Sequence, residues 1–308
     1  MDWLAITIVA YFLLALEIIL DKFLLSSSRV SHPAIYAFYS GTMGLFAIFF
    51  APFGFHAISY YKIVFSFIAG MIFIYGMLSL FFAIRKGEAS RVLPVVGAVI
   101  PITTFFLAIF FLEERLGLRG FLGIATLISG GLLISFDLAK DKTQLFFKGF
   151  RASILAGFFL ALSATLIKAL YNQDNFVNVF IWTRIGAFLG VISFLVFPVW
   201  RKSILGSMLK FKKPAKDEKK SGISFILAKS LGGSGSILKE KATSMVAASV
   251  TVVNALVSVE YVFIFVLSVI FSAWVPEVMQ EKKDLRSVAQ KIVAIVVIAL
   301  GLFLVYKI

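Results

Sequence analysis

Apolar runs about twenty residues long follow one another along almost the whole of this 308-residue chain. They limit its fold more than any other feature, because a helix that crosses a hydrocarbon core needs about 20 such residues. The runs fall near residues 2–25, 33–52, 62–85, 90–112, 116–137, 149–171, 176–199, 222–240, 244–272 and 287–307. With 60% of residues apolar and 15% charged, the composition argues against a soluble enzyme and leaves little chain for domains outside a membrane. Lipid offers backbone groups no hydrogen-bond partner, so only helices or a closed barrel can span it. The runs are too long, and lack the alternation of a barrel strand. The expected fold is therefore all-α, with ten transmembrane helices. The first run has neither a basic leader nor a small-residue cleavage site and carries Glu17 and Asp21, so it is expected to stay as a span. The eighth run is the least regular. Lys229 interrupts it and Gly232-Gly233-Ser234-Gly235-Ser236 follows, so it is expected inside the bundle, where small residues let helices approach closely.

A shift of 146 residues superposes Ala10–Leu25 on Ala156–Tyr171 with eight identities in sixteen positions, among them Lys22 on Lys168. Without a gap the same shift pairs Ile35 with Ile181, Gly44 with Gly190 and Pro52 with Pro198. A shift of 170 pairs Ile128, Gly131 and Leu132 with Ile298, Gly301 and Leu302, so the second copy carries extra length in its middle. Two halves are expected, 1–140 and 141–308, with five helices each. Five is odd, so the copies enter the membrane from opposite sides, giving inverted repeats of the kind transporters use. The basic stretch 201–221, too polar to fold alone, is expected to be a linker that either stays in the cytoplasm or meets anionic lipid.

Lys and Arg number 30 against 16 Asp and Glu, but with no soluble module to carry them they report loops rather than nucleic acid. Twenty flank the odd-numbered loops and six the opposite side, which places both termini outside the cytoplasm. Without cysteine, and with only His32 and His56, no metal site, triad or resident cofactor is expected. No phosphate-binding loop is present, which leaves secondary transport.

Ionisable groups in a span are expensive and usually face the bundle interior. Glu17 and Asp21 share one face of the first helix, four residues apart, with Lys22 beside Asp21. Lys168, Arg184, Lys229 and Glu260 lie in later spans. Glu17 and Glu260 are candidates for proton coupling or for static ion pairs. Lys229 and Arg184 could hold a substrate anion, although Lys229 could also snorkel and Arg184 could pair with Asp21 or Glu17. Lys22 and Lys168, near helix ends, are expected to snorkel or pair between repeats. Pro94 and Pro101 remove two backbone donors from the fourth helix and could kink it. Tyr75 and Asn254 are candidates to line a cavity, and Gly186 and Gly190 form a close-packing step.

The segment Gly87-Glu88-Ala89-Ser90-Arg91-Val92-Leu93-Pro94 to Pro101, then Phe111-Leu112-Glu113-Glu114-Arg115-Leu116 and Gly120, Gly123, Ile128, Gly130-Gly131, resembles the EamA-like branch of the drug/metabolite transporter superfamily. The resemblance implies ten helices in two inverted halves around a central cavity, with Lys22 at the family's basic position late in helix one and Glu114 at its acidic position after helix four. The second half lacks prolines matching Pro94 and Pro101, and its acidic break is displaced to Glu277–Glu281. The resemblance also implies cytoplasmic termini, against the charge count, which uses this chain's own residues and is kept. The expected function is secondary transport of a small polar or amphipathic compound across a prokaryotic cytoplasmic membrane by alternating access, with protons as possible partners. The alternative is a lipid-handling or assembly factor that does not transport. The sequence does not specify the oligomeric state.

Overall fold

The computed structural model describes residues 2–26, 32–86, 89–135, 149–210, 216–245, 247–272 and 285–306. All regular structure among them is helical: α1 (Trp3–Ser26), α2 (Pro33–Met43), α3 (Tyr60–Lys86), α4 (Ala89–Leu112), α5 (Leu118–Ser135), α6 (Phe150–Tyr171), α7 (Phe176–Ser193), α8 (Pro198–Lys210), α9 (Lys216–Ser244), α10 (Val250–Ala255), α11 (Val257–Ser272) and α12 (Leu285–Tyr306). Tighter 3₁₀ stretches continue α2 through Gly44–Phe53 and α7 through Phe194–Val196. Among the described residues seven helical segments are long and apolar enough to cross a membrane; α5 and α12 contribute shorter apolar helices, Leu118–Ile134 and Ala289–Val305. The exterior carries Phe49, Phe53, Phe110, Phe111 and Phe303, each more than half exposed. In a membrane such rings meet lipid rather than water.

Local chemistry places the helix starts. The His32 imidazole accepts the Ala34 N–H, with Pro33 at the first helical position. Asn175 accepts the N–H of Asn178, and Ser249 that of Val252. At 44–53 the α-helix tightens into a 3₁₀ helix that includes Pro52, whose nitrogen has no hydrogen to donate to the Ile48 carbonyl.

Pro94 and Pro101 do not interrupt the fourth helix, since α4 runs from Ala89 to Leu112. Pro101 is buried in the helix; the Pro94 side chain lies outside the described residues. The break comes instead in the expected ninth span. There a turn at Leu256 separates α10 from α11, and the Val259 N–H bonds to the Leu256 carbonyl.

Two further expectations change. Most of the basic stretch is helical, because α8 covers residues 198–210 and α9 begins at Lys216. α8 buries Ile204 completely in a cluster with Phe194 and Val191, against which Trp200 packs. That apolar face outweighs the charge of Arg201 and Lys202, both of which stay exposed. The eighth span is also longer than its apolar run and is not enclosed. Gly232 and Gly235 of α9 press onto α1, where Cβ atoms would overlap the Glu17 carboxylate and approach the Ala10 carbonyl, while Ile226, Leu227, Gly233 and Ser234 stay exposed.

The helices pack in pairs. α1 runs antiparallel to α9, α3 lies against α6 and α7, α4 against α6, α5 against α12, and α11 against α1 and α5. The α3–α7 crossing is close because Gly70 faces the backbone of Thr183 and Ala187, and Gly186 faces that of Phe67. One core cluster joins Tyr11, Leu127, Val252, Leu256 and Ile298; another joins Ala37, Ile74, Ala187, Val191 and Ile204.

Candidate functional site

Helix α9 is the most polar of the long helices, and it carries charges that meet four neighbouring helices. Lys229 donates to Glu17 Oε1 of α1 at 2.5 Å, and its ammonium lies 4.5 Å from the centre of the Tyr36 ring in α2. Both members of the pair are largely shielded, with 8% of the Lys229 side chain exposed and 18% of Glu17. Two turns further along α9, Ser236 and Glu240 hold Arg184 of α7. The guanidinium donates to Ser236 Oγ at 3.1 Å and forms an ion pair with Glu240. It also sits 5.2 Å from the Phe73 ring centre and 5.0 Å from that of Phe180, so aromatic faces flank it. The other Glu240 oxygen accepts the Tyr171 hydroxyl of α6 at 2.9 Å.

The sequence singles out Arg184 and Glu17, and the structure gives them different partners. Arg184 pairs with Glu240 rather than with Glu17. The side chains of Asp21 and Lys22 lie outside the described residues, as does Glu277–Glu281.

Lys168 does not snorkel. It is 4% exposed and donates to the carbonyls of Thr243 and Met245, at 2.9 and 3.0 Å. Those carbonyls close the C-terminal end of α9, where a cation complements the helix dipole. Five residues on, the same turn opens α10, and there Glu114 supplies the opposite charge. Its carboxylate accepts the Ser249 and Thr251 hydroxyls and the Val250 N–H, at 2.9, 3.1 and 3.0 Å. Lys168 and Glu114 thus hold the α9–α10 turn from two other parts of the chain.

Around the break at Leu256 the backbone finds side-chain partners. Tyr11 of α1 donates to the Val253 carbonyl at 2.8 Å. Asn254 donates to Thr104 Oγ1 of α4 at 3.1 Å, fully buried. Tyr261 packs on Gly97 of α4 and donates to the Leu93 carbonyl at 2.9 Å. A recess of about 10 Å³, no larger than a water molecule needs, lies beside these groups, between Gly97, Gly131, Ala255, Ser258 and Tyr261. Glu260 is 6% exposed, and its carboxylate accepts no hydrogen bond among the described residues. Tyr75, a cavity candidate from the sequence, lies elsewhere: its hydroxyl meets Ser193 Oγ at 2.6 Å and its ring packs on Phe194, so it joins α3 to α7.

A separate polar cluster ties the 54–62 segment to the α6–α7 turn. Asp174 accepts Lys62 Nζ and Asn178 Nδ2, both at 2.9 Å, and Asn178 also receives the His56 N–H. Burial pushes the Asp174 carboxyl up, but the hydrogen bonds from Asn178, Lys62 and the Asn175 backbone together outweigh it and hold the group below its ordinary value. Among the described residues no three acidic or histidine groups converge as metal ligands.

Glu240, Lys239, Tyr36 and Tyr171 are functional candidates that the reading of the sequence passes over. Only the α9 residues leave a signal: Lys229, Gly232, Ser236 and Glu240 recur at helical spacing, a polar stripe across an apparent span.

No family model matches the chain. An uncharacterised protein of Methanocaldococcus jannaschii is 36% identical over 75 residues, which are 24% of this chain and 54% of that protein. Since 75 residues make up 54% of it, that protein is about 139 residues long. A solved structure, described only as the crystal structure of a protein, aligns over 97% of this chain and 94% of its own, with a TM-score of 0.64 and 14% identity. At that identity the likeness is one of fold alone.

Proposed function

We propose that the chain is a secondary transporter that moves a small polar or amphipathic compound by alternating access between two inverted five-helix halves, and that it belongs to the EamA-like branch that its 87–131 segment resembles. The observation that carries this reading is the ring of interior charge around α9: Glu17 with Lys229, and Arg184 with Glu240 and Tyr171. Buried ion pairs contribute little net stability. Pairs that link one helix to several others can instead open and re-form as the helices move.

Three further observations support it. The 146-residue shift carries α1 onto α6, and in helix order α3 then corresponds to α9, α4 to α11 and α5 to α12; the packing is consistent with that exchange, since α1 with α9 matches α6 with α3, α1 with α11 matches α6 with α4, and α5 packs on its own counterpart α12. The M. jannaschii relative, at about 139 residues, is as long as one proposed half. The α10–α11 helix is broken at Leu256, as helices that line transport sites often are.

The test begins with a thermal-shift screen of amino acids, sugars, nucleosides and phosphorylated metabolites, since a ligand of the folded form raises its melting point. Compounds that bind then go into proteoliposome uptake. The proposal expects saturable uptake of one class, strongly reduced in Glu17→Gln and in Lys229→Met. Binding without uptake of any compound, at normal protein insertion, would overturn it.

A further inference from the structure

The helix that opens the basic stretch is fastened to its neighbours before it meets anything outside. Phe197 is extended, as a residue before proline favours, and so ends the 3₁₀ turn of α7; Pro198, which has no N–H to leave unpaired, then starts α8. The Arg201 N–H closes the first turn on the Phe197 carbonyl at 2.9 Å. Ile204 is completely buried, and the Tyr39 hydroxyl of α2 lies 3.2 Å from Ser207 Oγ. The Trp200 ring is 4.5 Å from Phe197, 5.5 Å from Phe194 and 6.3 Å from Phe82 of α3, measured between ring centres.

With that face fixed inward, α8 turns a mixed surface outward. Arg201, Leu205 and Met208 share one flank at helical spacing, Lys202 lies next to it, and all four are exposed. Water disfavours the apolar pair and hydrocarbon disfavours the charges, whereas the boundary between them suits both. The position agrees, because α8 begins two residues after the apolar segment Phe176–Val196 ends. The contact of Trp200 with Phe82 adds a second pair of cations, since Arg85 and Lys86 close α3 within a turn of Phe82 and are exposed as well. Among the described residues none of these four cations forms an ion pair. Lys62, at the other end of α3, is by contrast held by Asp174 at 2.9 Å. The loops after α3 and α7 are also two of those that the charge count assigns to the cytoplasm, the side on which membranes expose anionic lipid.

We propose that this corner binds an anionic phospholipid, with Arg85, Lys86, Arg201 and Lys202 around its phosphate and its acyl chains along Leu205 and Met208. A guanidinium grips phosphate oxygens in pairs, and the lysines add point charge. A zwitterionic lipid brings its own cation to the phosphate and gains less from the four. The lipid supplies both things this surface lacks, a counter-charge and an apolar cover. The site is independent of the transport reading, since a transporter and a protein that does not transport would hold the lipid in the same way.

Fluorescence of the full-length protein in phosphatidylcholine vesicles tests this through Trp200, because bromine on a lipid chain quenches an indole only at close range. The Trp200 signal is the difference between wild type and Trp200→Phe. Dibrominated phosphatidylglycerol should quench it at a lipid fraction lower by about fivefold or more than dibrominated phosphatidylcholine requires. Arg201→Gln with Lys202→Gln should lose that preference and keep the quenching by phosphatidylcholine, which shows α8 still in place. Arg85→Gln with Lys86→Gln, which leaves α8 unaltered, should weaken the preference too. Equal quenching of the wild type by the two lipids, or an undiminished preference in both variants, overturns the site. A preference abolished by inorganic phosphate at constant ionic strength refutes lipid as the occupant and gives the four cations to a free anion.

Discussion

The Glu17 carboxylate of α1 rests on the backbone of Gly232 in α9, where even a methyl group would displace it. The glycine is therefore part of the ion pair, because it leaves room for the acid to reach Lys229 three residues earlier on the same helix. Gly232→Ala should push Glu17 aside and loosen the pair. Its effect on thermal unfolding in detergent should largely vanish in a Glu17→Gln background. Independent, additive effects in that double-mutant cycle would show that the two residues are not coupled.

Gly70 makes the contrasting case. A methyl group there meets the Thr183 carbonyl and the Ala187 nitrogen, which are backbone atoms that cannot rotate away. Gly70→Ala should destabilise the α3–α7 crossing by about 3 kcal/mol, at the upper end for overpacking. An unfolding midpoint within a degree of wild type would contradict the crossing described.

The Glu17–Lys229 pair should behave as a unit. Removing either charge alone strips the other of its ion-pair partner, a change that typically costs about 3–5 kcal/mol when the pair is buried. Glu17→Leu combined with Lys229→Met should lose less than either single variant. Equilibrium unfolding of the three variants measures the sign of the coupling directly, and a double variant as unstable as the sum of the singles would contradict it.

Glu114 accepts three hydrogen bonds at the start of α10, and Lys168 donates two at the end of α9. Lys168→Met and Glu114→Leu should each lower stability by about 1–3 kcal/mol through the unpaired polar groups they leave. Hydrogen exchange should show early opening confined to residues 240–256. Uniform loss of protection across the bundle would argue against a local clamp.

Asp174 sets an acid limit. Its folded carboxyl titrates below the ordinary value, so the contribution it makes is fully present above the unfolded value of about 4 and disappears as pH falls through the folded one. The melting temperature of the wild type should drop across that window. Asp174→Asn should start lower at neutral pH and decline less steeply in acid, and parallel curves for the two proteins would exclude the effect.

The long apolar spans are legible because lipid leaves the backbone no choice but to satisfy itself, and Gly186 and Gly190 read as a packing step for the same reason. What the sequence conceals depends on contacts distant along the chain. Lys168 stands out as the match of Lys22, yet nothing local says that its ammonium ends on carbonyls 75 and 77 residues away. Pro101 looks like a break and sits in a continuous helix, whereas Leu256, with no proline or glycine beside it, marks the break, and Tyr11 on the Val253 carbonyl and Thr104 on Asn254 hold the chain just before it from other helices. The basic stretch misleads through its charge count, which hides the face that Ile204 and Trp200 present. Glu240 sits between two lysines at the end of an apolar run and reads as a loop residue until α9 is seen to continue past it.

The charge carried by α9 also bears on how the molecule is made. The seven helical segments apolar enough to cross a bilayer do not include it, so a ribosome-bound insertion machinery would find little reason to retain it on its own account. Glu17 emerges more than two hundred residues ahead of Lys229 and is in place before its counterpart is translated. Biogenesis would then be ordered: the opening segment acts as an internal receptor for a late one, and nascent chains lacking the former should leave the latter reachable by water-borne thiol reagents at an introduced cysteine.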